Sequence, residues 1–93
     1  MWPVAWLCLS FAQRMDLHAC AKRHLATAGT YDYPHGDAIR LRTGRALARR
    51  GLVEVGNRWS ANRYTRWRPT SAGIALVKAV LELGWHPSWR KSY

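Results

Sequence analysis

Apolar residues in the first quarter of the chain recur at helical spacing. Leu7, Phe11 and Met15 fall at every fourth position, which places them on one side of an α-helix. The stretch behind them is rich in Ala and holds no Gly or Pro before Gly29, so 4–13 and 14–27 are both expected to be helical, as one element or two. The segment AGTYDYPHGD (28–37) brings two Gly and a Pro together and reads as a connection, with a short strand over Thr30–Tyr33 as one option. Asp37 is expected to open a short helix containing Ile39. Thr43 is placed as the N-cap of a further helix, 43–50, and Gly51 as its left-handed stop.

From Leu52 the period changes to two, so that Val53 and Val55 point one way, Leu52 and Glu54 the other. A second strand-like run, RYTRWRPT, follows GNRWSAN. The two runs predict a hairpin whose tip falls within 56–62, with Gly56-Asn57 as the turn itself or as a bulge beside a longer tip. Thr70 is then placed as the N-cap of a last helix, 71–83, ending at Gly84. Ile74, Val77 and Leu81 form its main stripe, widened by Leu76, Val80 and Leu83, with Lys78 and Glu82 paired on the other side. The tail WHPSWRKSY (85–93) shows no regular pattern.

Charge changes the picture. Net charge is +10 on 93 residues, and 12 of the 15 basic residues are Arg. Nine of these Arg lie within 40–68 against a single acid, Glu54. At 100° per residue, Gly44, Leu47 and Ala48 share one side of the 43–50 helix, and Arg45 and Arg49 sit one turn apart on the opposite side. Arg58 and Arg63 flank the hairpin tip, near Trp59. Arg66 and Arg68 share a strand face, where Glu54 is expected to pair with one of them; Trp67, alternating with both, is expected to fill the core. Guanidinium is the better planar, two-pronged binder of phosphate and guanine edges, so a polyanion is the expected partner.

Other chemistries find little support. The five acids are scattered, no His or Cys stands in a nucleophile motif, and no Gly-rich phosphate loop is present, so the chain is not expected to be an enzyme or to need a cofactor. Cys20 with His18 and His24 lacks a second ligand pair, so no metal site is expected, and Cys8 and Cys20 are expected to be reduced thiols. The apolar N-terminal run has no basic residue before Arg14 and is too short to span a bilayer. It is read as a core or association segment, in a cytoplasmic protein (nucleoid-associated if bacterial) with no membrane partner.

Two pieces of sequence carry a family resemblance. Leu47, Gly51, Leu52 and Val53 form an L-x-x-x-G-L-V junction, and Thr70–Gly73 form T-S-A-G after an aromatic-containing strand. Together they resemble the winged helix-turn-helix DNA-binding domains, in particular MarR-type and related small bacterial and phage regulators. The resemblance covers about 37–84; Pro69 stands where Leu often precedes the Thr, and the second helix of the motif is squeezed between Pro34 and Thr43. It implies an α+β fold with three or more helices and a two- to three-stranded β-hairpin wing, and 93 residues suit one domain over 1–93. Residues 1–27 would be an N-terminal helical, dimerising segment and 85–93 an aromatic, basic tail.

The function so implied is sequence-specific binding of double-stranded DNA, as a transcriptional regulator or a phage or mobile-element accessory protein. Helix 43–50 would enter the major groove and the wing, 52–69, would lie along backbone or minor groove. The DNA-contacting residues expected are Arg42, Thr43, Arg45, Arg49, Arg50, Arg58, Arg63 and Arg66. Arg45 and Arg49 would read bases, Arg42 and Thr43 would hold phosphate, and Arg50 would sit at the core boundary. A homodimer is expected because Trp2, Trp6, Leu9, Trp85 and Trp89 exceed what so small a domain buries alone. The competing reading is an adaptor that binds a host protein or nucleoprotein complex through its basic face and aromatic termini.

Overall fold

The computed structural model describes residues 2–26, 39–59 and 64–86. Among these described residues it is an α+β arrangement of four helices and one antiparallel hairpin. The expected connection 28–37, with Thr30–Tyr33 and Asp37, lies outside the described residues, as do Trp89 and the end of the tail.

The N-terminal region is two helices, and they divide earlier than 13/14. A single-turn helix α1 (Val4–Leu7) gives way to α2 (Phe11–Ala26). Local chemistry explains the break. The Gln13 N–H donates to Ser10 Oγ at 3.1 Å, and the Ser10 N–H donates to Gln13 Oε1 at 2.9 Å. This reciprocal pair is a capping box, and it starts α2 afresh at Ser10. Two arginines then donate to carbonyls at the end of α1 and just beyond it. Arg14 donates to Trp6 O and Leu7 O at 3.1 and 3.4 Å while its guanidinium lies 5.6 Å from the Trp6 ring centre. Arg50 donates to Cys8 O at 3.4 Å.

Of the expected stripe of Leu7, Phe11 and Met15, only Met15 packs against the core. Leu7 and Phe11 are exposed, and α2 instead buries Leu17, Cys20 and Ala21. The residues expected to form an association surface are inside as well. Trp6, Leu9 and Trp85 are all buried, and Trp2 packs against the same core. Trp6 meets Trp85 edge to face, with ring centres 5.0 Å apart. The motive for a dimer therefore does not survive in that form: α1 folds back over the last helix, and the chain covers these aromatics itself.

Helix α3 (Leu41–Arg49) begins two residues before the expected start. Arg40, not Thr43, is its N-cap, with no side-chain cap bond. Thr43 lies inside the helix, buried on the face that carries Gly44 and Leu47. Ile39 is in no helix and packs against the core just ahead of α3. The end of α3 is as expected. Gly51 has φ of 74°, a region closed to most side chains, and the Leu52 N–H donates back to Leu47 O at 3.0 Å. The last helix ends the same way, at Gly84, with the Trp85 N–H on Val80 O. Each turn sends its next residue, Leu52 or Trp85, into the core.

Strands β1 (Val53–Trp59) and β2 (Tyr64–Pro69) pair antiparallel, from Val53 opposite Pro69 out to Trp59 opposite Tyr64. The register slips between Val55 and Asn57, so Gly56 is the extra residue of a bulge, not the turn. The connection is 60–63, outside the described residues. The expected alternation fails at both ends of its range: Leu52 and Val53 are both buried, and Val55 is exposed beside the bulge. Trp67 fills the core as expected, with its ring laid on α3 at Gly44, where a Cβ would overlap it.

Thr70 caps α4 (Ser71–Glu82), accepting from the Gly73 N–H at 3.1 Å. The same hydroxyl donates to Gly51 O at 2.6 Å, and the Thr70 N–H donates to Leu52 O at 3.1 Å. Gly73 leaves the space that the Leu52 carbonyl occupies. The core face of α4 is Gly73, Leu76, Val77 and Val80, rotated from the expected stripe. Ile74 and Leu81 sit at its margins, Leu83 is exposed, and Lys78 and Glu82 are exposed on the far side.

His18 packs edge-on against Trp85, ring centres 5.4 Å apart. Burial, with Lys22 and then His86 adding to it, holds its imidazole below the ordinary 6.5. The fold therefore favours neutral His18, and its contribution is complete above 6.5 and lost as pH falls below it. The urea midpoint should drop on acidification below that value, and the drop should be smaller in His18→Gln. Gly44→Ala should destabilise by about 1–3 kcal/mol in the same assay, the usual cost of forcing a group into a filled core.

Candidate functional site

The basic residues of 40–68 divide into those tied up within the fold and those left facing outward. Arg40 is paired with Asp16, Nε to Oδ2 at 3.5 Å. Arg68 is paired with Glu54, Nε to Oε1 at 2.9 Å, on strand positions directly opposite one another. Of the two arginines expected to compete for Glu54, Arg68 takes it. Arg50 is exposed and donates one bond to the Cys8 carbonyl at 3.4 Å, which leaves its other N–H donors facing outward.

Arg42, Arg45 and Arg49 remain exposed on α3 with no acidic partner among the described residues. At 100° per residue these three fall within an arc of about 60°, where the sequence reading had set Arg42 apart from the other two. Thr43, Gly44 and Leu47 lie on the opposite side and are buried. Thr43 is thus removed from the set of outward-facing candidates, because its side is the one that docks α3 to the rest of the fold.

The docking is what makes the face rigid. Leu47 is wholly buried, and the Trp67 ring covers Gly44. An interior Gly costs a helix about 0.5–1 kcal/mol relative to Ala, and here that cost gives β2 its close approach. The Trp67 Nε1 has no hydrogen-bond partner in this contact. Arg66 is half-buried on β2 opposite Asn57, with no acidic partner among the described residues. Arg58 lies on β1 opposite Thr65, though its side chain is outside the described set; Arg63 is outside it altogether, and of the Trp59 side chain nothing is described.

One residue of this face was missed. Leu41, the first residue of α3, is 49% exposed and flanks the arginines one turn before Arg45. Placing the start of the helix at Thr43 left it out, and it joins the face once α3 is seen to begin at Leu41. On α1 and at the start of α2, Val4 is 72% exposed, Leu7 57% and Phe11 37%.

Among the described residues, no group of His, Cys, Asp and Glu side chains is placed to hold a metal ion, and no helix is long and apolar enough to cross a membrane. Cys8 is exposed and Cys20 buried, and they are not bonded to each other. No protein-family model, curated protein or solved structure matches the chain.

The Arg68–Glu54 pair is exposed on both sides, so it should be worth little. A double-mutant cycle with Glu54→Ala and Arg68→Ala should give a coupling below about 1 kcal/mol that shrinks further in high salt.

Proposed function

We propose that the chain is a winged helix-turn-helix protein that binds double-stranded DNA sequence-specifically, with α3 as its recognition helix. The observation that carries this reading is the outward arc of Arg42, Arg45 and Arg49, uncompensated by acids among the described residues and backed by a buried Thr43–Gly44–Leu47 face. Like charges packed this closely repel one another, and a polyanion relieves that repulsion. A helix presenting them fits the major groove, where a guanidinium fork meets guanine O6 and N7. The β1–β2 hairpin serves as the wing, with Arg58, Arg63 and Arg66 directed to backbone or minor groove. Transcriptional regulation, or an accessory role in a phage or mobile element, is the setting that suits such a protein.

A second reading rests on a different observation. The exposed Val4, Leu7 and Phe11 suit a protein partner, either a host protein or a second copy of the chain. An adaptor would use these residues, and its binding would depend on salt far less than DNA binding does.

Two substitutions separate base reading from charge. Arg45→Ala should relax preference at one base position by about 1–3 kcal/mol. Arg66→Ala should weaken binding to all duplexes alike and reduce the slope of log affinity against log salt by about one. Identical behaviour of the two variants, measured by fluorescence anisotropy on preferred and random duplexes, would refute the assignment of α3.

A further inference from the structure

We propose that Leu41 is a specificity-determining residue that packs on the C5 methyl group of a thymine beside the guanine read by Arg45. The inference rests on the DNA-binding reading of α3 and adds a base to it. Leu41 opens α3 and is exposed on the same side as the arginines. At 100° per residue it stands about 40° from Arg45, so the pair lies one above the other on the helix surface. Leu41 is not among the residues that dock α3: Ile39, two positions before it, packs against the core, and Thr43, Gly44 and Leu47 make the buried side of the helix. Among the described residues of α3, Leu41 is therefore the exposed large apolar group beside the arginines.

In the major groove, that combination has a definite complement. The groove floor is polar except where a pyrimidine carries a C5 methyl, and among the four ordinary bases only thymine has one. One helical turn is about 5.4 Å and successive bases on a strand are about 3.4 Å apart, so Leu41 and Arg45 reach positions one to two steps from each other. The target is thus a thymine within two positions of a guanine. A methylated cytosine presents the same methyl in the same place, and the test tells the two apart.

The full chain is used to select duplexes from a random library, with and without CpG methylation. Each thymine of the preferred duplex is then replaced by uracil, which removes only the methyl group. One replacement should weaken binding about 3- to 5-fold, the worth of one buried methyl. Leu41→Ala should bind the thymine and uracil duplexes equally, while Arg45→Ala should keep the methyl effect and lose the guanine preference. Insensitivity to every thymine-to-uracil change, or a methyl effect that persists in Leu41→Ala, overturns the proposal. A preference that emerges only on the methylated library moves the methyl to cytosine and overturns the thymine assignment. Selection of no sequence at all refutes the DNA reading itself, a different result from specific binding without a methyl effect.

Discussion

The fold turns on a knot of hydrogen bonds between residues 51–52 and 70–73. The backbone leaves α3 through Gly51, whose positive φ lets the Leu52 N–H return to Leu47. The Gly51 and Leu52 carbonyls, which that turn exposes, are both taken by Thr70, one by its hydroxyl and one by its N–H. The same hydroxyl then caps α4 through Gly73. One threonine and two glycines thereby lock the end of α3, the entry and exit of the hairpin, and the start of α4 to one another. Gly51 is exposed and its carbonyl can turn to water, but Leu52 is buried. A buried backbone group without a partner costs about 1–3 kcal/mol, which disfavours junctions that leave the Leu52 carbonyl open.

The direction of the arginine face follows from that knot. With α3 held at its end by Gly51 and along its length by Leu47 and Trp67, Arg42, Arg45 and Arg49 have one way to point. Their repulsion is not offset by the ion pairs nearby. Arg68–Glu54 is exposed on both sides and worth about 0–1 kcal/mol, and Arg40–Asp16 joins an exposed guanidinium to a largely buried carboxylate at 3.5 Å. What offsets it is burial: Trp6, Leu17, Leu47, Val77 and Val80 are almost wholly removed from water, at about 1.5–3 kcal/mol for each aliphatic side chain. Apolar packing stabilises the scaffold and leaves its charges uncancelled, an arrangement that suits a protein whose counter-charge arrives from outside.

The parts of this scheme that rest on local chemistry were legible in the sequence. Gly51 and Gly84 end helices, Thr70 caps one, Glu54 answers an arginine across the hairpin, and Trp67 faces inward, because each depends on neighbours or on strand period. The capping box at Ser10 and Gln13 was also there to be read, and it places the break between α1 and α2. Other features depend on contacts made across the fold. Thr43 is a good cap residue by type, yet Ile39 and Leu47 dock α3 so that it starts earlier and carries Thr43 inward. Arg40 holds the N-cap position without a cap bond and is steadied by Asp16, 24 positions away in sequence, which no local signal announces. Burial of Trp6 and Trp85 required α1 to fold over α4, and without that contact both looked like surface.

The central claim is that α3 presents the face that meets nucleic acid. Backbone amide chemical shifts followed while a duplex is titrated into the full chain at low salt test it most directly. The account predicts that the largest changes fall on Leu41–Arg49, with smaller ones on the hairpin around Arg66, and that Val4–Phe11 stays still. Changes centred on Val4–Phe11, with α3 unmoved, would contradict it.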